Sequence, residues 1–567
     1  MRFRSTSLFT RSAVIALIAA SFILVPTATG AVAAGHSATG KYLVAFQSEP
    51  SSGWVTRDFN PFVSAPNDFT KGGIYEPLMV ITQAGGGRTY PWLATSYKWG
   101  KGNRSLTVNL RKNVKWSDGV PFTAADVVFT FEYGKAHNVD LTGLMTSGQI
   151  TNVKAVGKYK VVFSFKTVDT TLLQSLLSNV CIIPEHIWSK ISDPVTYTNP
   201  NPVGTGPFTQ VQNFSSQIYT LGANPHYWQK LHYAGIQVPA FASNESALAS
   251  MVKGQVDWAP VNVPDAQKSW VDVNPKYYHY YYTGPTTPLD LMFNDSQYPY
   301  SLPAFRQAIS MSINRKALSV LAENGYEKPA DALGLGGLFP GWVPKSLKAL
   351  DKKLSTYSPK AALKLLIKNK FREKNGQLYD PKGNAVQMGI TCPAGWSDWQ
   401  TQLQIMQSDL KNIGIHVQIS FIDQNTWFAN RSARTMGGKF YGLFGTESSG
   451  QTPYQFLWSF MSKESYYPVN GLQPGGSWNI EGWYSKPATT LLDQFRASSS
   501  TTKQHSIVDK VATIDLNSLP VITTVTQATW YTWSTMHFKG FPTASHYYAD
   551  GRAYIYPDDV KVLTSLH

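Results

Sequence analysis

The segment from residue 385 to residue 420 constrains the fold more than any other part of the chain. Its first eight residues alternate apolar and less apolar side chains, which is typical of a strand. After the break "PAG", Ser397 stands three residues before Gln400, which is the spacing of a helix-capping box. Apolar residues then recur at helical spacing as far as Gly414, and a second alternating run follows. This β-α-β pattern predicts an α/β fold.

Trp396 and Trp399 lie where the first predicted strand gives way to the helix. Open α/β sheets bind ligands outside the carboxyl ends of their strands, so this position favours a binding site. The alternative is that both rings merely cover the edge of the sheet, because tryptophan is mostly buried in proteins.

The first 34 residues have the pattern of a secretory signal peptide. Three arginines accompany an apolar run from Ala13 to Val25, and small residues follow it. We predict a signal peptide over residues 1–33, with cleavage after Ala33 or Ala34. No cysteine stands near that point, so a lipid anchor is not expected, and no later apolar run reaches the roughly 18 residues of a spanning helix. The mature protein is expected to be exported and soluble, in the periplasm or outside the cell.

The composition excludes several classes of function. A chain of 567 residues is too long for one core, so two or three lobes are expected. The net charge is +15, but the basic residues are scattered, and no nucleic-acid partner is expected. Cys181 and Cys392 form no CxxC pair and are predicted to be buried free thiols, with a disulfide between them as the alternative. The 11 histidines are dispersed, so neither a metal site nor another cofactor is expected.

The chain lacks the sequence motifs of common secreted enzymes. HExxH, GxSxG and a P-loop are all absent, so an enzyme is not expected. A secreted carbohydrate-active enzyme stays as an alternative, because the separation of two catalytic carboxylates is set by the fold and not by the sequence.

Two groups of motifs carry a family resemblance. The run "LRKNVKWSDGVPFTAADVVFTF" begins at Leu110, and "PVGTGPF" at Pro202 is followed by "NPHYW". With these spacings the chain resembles the extracellular solute-binding proteins of family 5, which feed ABC importers for oligopeptides, dipeptides, nickel and some oligosaccharides. The resemblance covers essentially the whole mature chain.

The resemblance implies a two-lobed periplasmic-binding-protein fold of the α/β class. This is the large form of type II, with an extra subdomain, and it closes by a hinge around a central cleft. The first lobe would hold residues 34–290, with a subdomain inserted at about 76–200. The second lobe would hold residues 291–529, and residues 530–567 would return to the first. The implied partners are an ABC permease and its ATPases, and a monomer is expected.

The segment around Pro453 bears on the choice between peptide and sugar. Peptide-binding members of this family usually anchor the ligand's free amine with an aspartate four residues before a proline. Here Ser449 stands four residues before Pro453, and Glu447 stands six before it. An ammonium buried without an acidic partner is costly, so the loss of that acid argues against a peptide. An oligopeptide held by a shifted Glu447 stays as the alternative.

The abundance of aromatic residues favours an oligosaccharide. Indole rings stack on the C–H faces of sugars, and short polar side chains bind the sugar hydroxyls. In addition, the segments "PWLATSY" and "GWSDW" resemble the oligosaccharide-binding branch of the family, which includes cellobiose-type proteins. We therefore expect a β-linked, cello-oligosaccharide-like ligand. The predicted ligand-binding residues are Trp54, Asn60, Asp257, Trp258, Asn294, Trp396, Asp398, Trp399, Trp427, Glu447, Tyr454, Trp458 and Trp478.

Overall fold

The computed structural model describes most of the chain after residue 40. The described residues are 41–47, 53–63, 66–82, 88–139, 144–145, 149–169, 171–433, 443–445, 452–463, 465 and 479–567. The predicted signal peptide and the predicted site residues Glu447 and Trp478 lie outside these ranges, as does Ser449.

The first part of the chain is rich in strands. In order, its elements are β1 (Tyr42–Val44), β2 (Met79–Ile81), β3 (Thr89–Pro91), β4 (Ala94–Trp99), β5 (Ser105–Leu110), α1 (Ala124–Ala136), β6 (Ile150–Ala155), β7 (Lys160–Phe165), α2 (Leu172–Leu177), α3 (Glu185–Trp188), β8 (Phe208–Phe214), β9 (Ile218–Ala223), β10 (Gly235–Pro239), α4 (Asn244–Met251), β11 (Trp258–Ala259), α5 (Ala266–Ser269) and β12 (Tyr278–Met292).

The second part of the chain is rich in helices. In order, its elements are α6 (Pro303–Ser312), α7 (Arg315–Ala317), β13 (Lys328–Pro329), α8 (Lys348–Ser355), α9 (Pro359–Lys368), β14 (Arg372–Lys374), β15 (Gln377–Tyr379), β16 (Gln387–Pro393), α10 (Ser397–Lys411), β17 (His416–Ile422), α11 (Gln424–Ala433), β18 (Leu443–Gly445), α12 (Tyr454–Met461), α13 (Lys486–Arg496), α14 (Thr501–Ser518), β19 (Val521–Ser534) and α15 (Asp558–Leu563).

The strands pair into larger and smaller sheets. One sheet has the order β1-β10-β9-β8, and another has the order β4-β5-β7-β6. A five-stranded sheet has the order β11-β19-β12-β18, with β13 also pairing with β19. The pairs β2–β3, β14–β15 and β16–β17 are separate two-stranded sheets among the described residues.

Buried apolar side chains form three distinct cores. The first core joins residues between Leu43 and Tyr278 to a C-terminal set between Tyr531 and Leu566. The second core holds residues from Leu78 to Ile182, with Val560. The third core holds residues from Leu289 to Val525. Separate cores are what independently packed lobes require.

The long strands β12 and β19 connect the first core to the third. Tyr278 of β12 belongs to the first core and Leu289 to the third. Strand β19 runs antiparallel to β12, from Val525 in the third core to Tyr531 in the first. Their antiparallel register shifts on either side of Pro285, where a proline cannot donate to the ladder. The lobe boundaries at residues 290 and 529 that the family resemblance implies fall within these two strands.

The predicted β-α-β unit is confirmed in its elements and direction. Strands β16 and β17 pair in parallel from Gln387–His416 to Pro393–Ile422, and α10 connects them. The predicted capping box is wrong, because Ser397 is already helical, and Trp396 occupies the N-cap position without a side-chain cap bond. Thr123 caps helix α1, since its hydroxyl accepts from the backbone N–H of Ala125 and Asp126 completes a capping box.

Candidate functional site

Two tryptophans and an aspartate begin helix α10 at the end of strand β16. The rings of Trp396 and Trp399 meet edge to face, with centroids 4.6 Å apart and planes at 85°. Both side chains pack in the third core and are only 6% and 7% exposed. Asp398 stands between them in the first helical turn, where a carboxylate interacts favourably with the helix dipole. The sequence therefore placed this pair correctly at the end of the strand.

Asn262 connects the first core to the third core at this point. Its neighbours Val261 and Val263 belong to the first core. Its side-chain Nδ2 donates to Asp398 Oδ2 at 3.3 Å and to Glu323 Oε2 at 3.4 Å. One amide group thus holds two carboxylates that lie beside the third core.

Glu323, Glu327 and Asp398 form a cluster of carboxylates, which we call the acidic cluster. Burial raises the pKa of Glu323 well above its ordinary value, and the charges of Glu327 and Asp398 raise it further. Burial and the charge of Asp398 raise the pKa of Glu327 to about 8. Burial raises the pKa of Asp398 to about 6, although backbone N–H groups at the start of α10 oppose that shift. Glu327 therefore retains its proton near neutral pH, whereas Asp398 is largely ionised there.

Gln402 completes this arrangement one helical turn beyond Asp398. Its Nε2 donates to Glu323 Oε1 at 2.5 Å, and the side chain is fully buried. Sequence reasoning missed Asn262, Glu323, Glu327 and Gln402. The available signal was the i, i+4 spacing of Asp398 and Gln402, which puts both on one face of the helix.

Asn60 and Asp257 are held by bonds inside the protein. Asn60 Nδ2 donates to the carbonyls of Pro194 at 2.6 Å and Tyr197 at 2.8 Å, and its Oδ1 accepts from the Phe62 N–H. Asp257 is buried, accepting from the Val44 N–H at 3.0 Å and lying 2.8 Å from a ring nitrogen of His537. These internal bonds favour a scaffold role for both residues over the predicted ligand contacts.

Three more predicted residues have internal partners. Trp258 is fully buried, and its indole N–H donates to the Gly551 carbonyl at 2.7 Å. Trp427 is buried, and its indole N–H donates to Thr391 Oγ1 at 3.0 Å. Asn294 Oδ1 accepts from the N–H and hydroxyl of Ser296, forming a local turn. These contacts favour a scaffold role for the three residues over the predicted ligand contacts.

The remaining described residues of the predicted set differ in exposure. Tyr454 is buried against Phe495, with ring centroids 5.5 Å apart. Trp458 is partly buried against the third core. Trp54 is 47% exposed, and no other tryptophan belongs to the exposed large apolar residues of the described chain. The structure therefore brings Trp396, Asp398 and Trp399 together and places Trp54 apart from the cores.

Three further sequence predictions concern chemistry and location. Cys181 and Cys392 are buried and unpaired, as predicted. Within the ranges that the structure describes, no group of three or more His, Cys, Asp or Glu residues has the geometry to hold a metal ion. Among the same residues, no helix combines the length and apolar character needed to cross a lipid bilayer.

The fold, with cores joined by two long strands, matches that of known two-lobed periplasmic solute-binding proteins. A periplasmic oligopeptide-binding protein of Thermotoga maritima, solved with bound mannohexaose, superposes with a TM-score of 0.83 at 25% identity, covering 93% of this chain and 98% of that one. The oligopeptide-binding protein AppA of Bacillus subtilis, solved with a nonapeptide, shares the fold with a TM-score of 0.75 at 18% identity, covering 93% and 98% of the two chains. The predicted α/β two-lobed fold is confirmed.

The chain belongs to the bacterial extracellular solute-binding proteins of family 5, whose middle-region model matches residues 88–468. A probable ABC transporter-binding protein of Deinococcus radiodurans is 25% identical over 84% of this chain and 86% of its own length. The nickel-binding periplasmic protein of Escherichia coli is 26% identical over 70% and 75% of the two chains. The protein is therefore the non-enzymatic binding component of an ABC importer, which works with a membrane permease and ATPases.

Proposed function

We propose that this protein captures an extracellular β-linked oligosaccharide in the cleft between its lobes and delivers it to the permease. The observation that carries the proposal is the 0.83 TM-score to a protein that holds mannohexaose. Of the ligands named for the solved relatives, an oligosaccharide also agrees best with the aromatic and polar groups at the start of α10.

The physical case rests on the start of helix α10. Trp396 and Trp399 lie on either side of Asp398 in the chain, so apolar and hydrogen-bonding groups occur within one helical turn. A sugar ring needs this combination, because its C–H faces are apolar and its edges carry hydroxyls. Asn262, which is flanked by residues of the first core, approaches the same turn. A ligand there would therefore contact residues beside both the first and the third core.

Closure of the two lobes would then couple binding to delivery. Strands β12 and β19 pass between the first and third cores and have an irregular register near Pro285. We infer that this irregular region is the hinge. A ligand that contacts both sides binds the closed form better and so shifts the population toward it. We include Trp54 and Trp458 as further ligand contacts, because neither is enclosed in a core.

A thermal-shift screen tests the ligand class. The mature protein is heated with cello-, manno-, xylo- and laminari-oligosaccharides, and with mixed tripeptides to pentapeptides. A ligand at about 100 times its dissociation constant adds roughly 2.7 kcal/mol to the free energy of unfolding, which raises the midpoint measurably. The proposal predicts that one β-linked sugar series raises the midpoint and peptides do not. A shift with peptides alone would contradict it and favour the oligopeptide alternative.

A further inference from the structure

Basic residues are concentrated in residues 345–374, which we call the basic segment. It holds ten lysines and arginines against two acidic residues, so its net charge is +8, more than half of the +15 of the whole chain. The basic residues are interspersed with apolar ones, so no long run of adjacent lysines marks the segment in the sequence. The segment spans helices α8 and α9 and strand β14.

The folded chain exposes the charges of the basic segment and buries much of its apolar surface. Leu354 and Leu366 are buried in the third core, whereas all ten basic side chains are exposed. At the end of α6, the Ser310 hydroxyl donates to the Leu354 carbonyl of α8 at 2.9 Å. The next residue, Met311, accepts from the Ser358 N–H just before α9 at 2.7 Å. Helices α8 and α9 therefore contact the same turn of α6, and their charges lie on neighbouring elements.

The two acidic residues of the basic segment do not neutralise its charge. Asp351 is buried and accepts from the Leu333 N–H at 3.1 Å. Glu373 accepts from the Gly376 N–H at 2.7 Å in a tight turn. Among the residues that the structure describes, none of the ten basic side chains takes part in an ion pair. The positive charge of the segment is therefore available to a partner outside the chain.

Helix α9 aligns three of these charges. Lys360, Lys364 and Lys368 recur at intervals of four residues, which puts them along one side of the helix. Like charges at this spacing repel each other. Lys360 also lies in the first turn, where a positive charge opposes the helix dipole and no acidic residue compensates it. The pattern does not serve the stability of the helix, whereas an anionic surface attracts all three charges at once.

The composition of the basic segment fits a lipid surface better than a single bound phosphate. Nine of its ten basic residues are lysines. Lysine acts as a point charge, whereas arginine makes the bidentate contacts of specific phosphate recognition. Ile367 is 55% exposed beside Lys368, and Tyr357 is 37% exposed between the two helices. Binding to an anionic membrane combines such apolar contacts with electrostatic attraction.

We propose that the basic segment docks the protein onto a lipid surface with anionic headgroups. The lysines of α8 and α9 interact with the lipid phosphates, and Ile367 and Tyr357 contact the headgroup layer. Because the permease lies in a membrane, docking holds the binding protein close to its transporter. Docking does not depend on which solute is carried, since it uses no residue at the start of α10.

Co-sedimentation of the mature protein with lipid vesicles tests the docking. One set of vesicles contains about 30% phosphatidylglycerol in phosphatidylcholine, and the other contains phosphatidylcholine alone. We expect binding to the anionic vesicles only. Raising the salt from about 0.05 M to about 0.5 M should weaken this binding at least about tenfold, because salt screens exposed charges.

Two variants of helix α9 locate the docking surface. The first combines Lys360→Gln, Lys364→Gln and Lys368→Gln. One lysine near an anionic surface contributes about fivefold to the affinity, so we expect this triple variant to bind the anionic vesicles about 10-fold to 100-fold more weakly. The second variant, Ile367→Ser, should bind about threefold more weakly, because it loses an apolar contact with the lipid.

A matched control removes three lysines from other helices of the same core. It combines Lys486→Gln, Lys503→Gln and Lys510→Gln, which are exposed positions on α13 and α14. This control has the same net charge as the α9 triple variant, and it should bind the anionic vesicles within about threefold of wild type. A thermal melt of each variant verifies folding, and titration with mannohexaose measures solute capture in the same samples.

The outcomes distinguish a lipid surface from the other partners of a basic surface. Binding of soluble polyphosphate without binding of anionic vesicles overturns the docking in favour of an anionic polymer. Equal losses in the two triple variants also overturn it, because they show a response to net charge and not to the basic segment. Equal binding to both sets of vesicles overturns the role of anionic headgroups. Each of these results leaves oligosaccharide capture intact, because the mannohexaose titration tests it separately.

Discussion

The side-chain Nδ2 of Asn262 lies 3.3 Å from Oδ2 of Asp398, although 136 residues separate them in the chain. Asn262 is flanked by valines of the first core, and Asp398 by tryptophans of the third. A hydrogen bond between two such segments restricts their relative movement. We infer that it stabilises a closed arrangement of the proposed lobes.

Asn262→Ala should favour the open form of the ligand-free protein. The substitution removes the bonds to Asp398 and Glu323, and a typical hydrogen bond contributes about 0.5–1.5 kcal/mol. We expect a larger radius of gyration by small-angle X-ray scattering and a lower free energy of unfolding. Asn517→Ala is the control, because that exposed amide donates only within helix α14. An unchanged radius of gyration in Asn262→Ala would show that the bond does not hold the Asn262 and Asp398 segments together.

Glu327→Gln should change how stability depends on pH. The folded protein raises the pKa of Glu327 from 4.5 to about 8, so the folded state binds this proton more tightly than the unfolded state does. The contribution of Glu327 is fully present below about pH 4.5, falls as pH rises, and is lost above about pH 8. Relative to wild type, the variant should gain at least about 1.4 kcal/mol between pH 5 and pH 9, the equivalent of one pKa unit.

Urea unfolding at a series of pH values measures this effect. The exposed Glu373 provides a control, because its carboxylate only accepts from a nearby backbone N–H in a tight turn. Glu373→Gln should follow the wild-type pH profile. The assignment is wrong if Glu327→Gln also follows that profile.

Trp396→Ala and Trp399→Ala should each weaken oligosaccharide binding by about tenfold or more. Both rings are also largely buried, so each substitution should lower the free energy of unfolding by about 3–5 kcal/mol. Trp427→Ala separates the two effects, because Trp427 is equally buried but bonded to Thr391. It should destabilise the protein similarly while the folded fraction keeps its affinity. Equal affinity losses in all three variants, measured by calorimetry, would mean that the tryptophan pair only supports the fold.

Much of the fold followed from local patterns in the sequence. The β-α-β unit was predictable because strand and helix periodicities are properties of neighbouring residues, and α10 ends before Gly414 as expected. The capping box at Ser397 was not predictable in the same way. There the chain begins the helix one residue earlier, since Trp396 takes the cap position.

The site was harder to predict because a tryptophan in the sequence can either line a ligand cleft or fill a core. An indole ring that lines a cleft and one that fills a core have the same size and the same polar N–H. Trp258 and Trp427 are the second kind, with partners at Gly551 and Thr391 that no spacing reveals. Likewise, the acidic cluster is assembled from segments far apart in the chain, so it is a property of the tertiary structure.

Asn60→Ala should destabilise the protein without changing its ligand affinity. The amide of Asn60 binds two carbonyls and one backbone N–H, all of which lose a partner in the variant. Loss of such buried bonds costs about 1–3 kcal/mol. Chemical unfolding and calorimetry with the same sample measure both quantities. A selective loss of affinity with unchanged stability would return Asn60 to the ligand site that its sequence position first suggested.

Titration of the mature protein with mannohexaose in a calorimeter tests the central claim most directly. Family membership and fold already define a solute-binding protein, so the question is whether a sugar is the solute. The account predicts saturable binding of one sugar per protein, with a negative heat-capacity change from burial of apolar surface, and no heat with an N-acetylated tripeptide. Saturable peptide binding together with no response to mannohexaose or cello-oligosaccharides would contradict it.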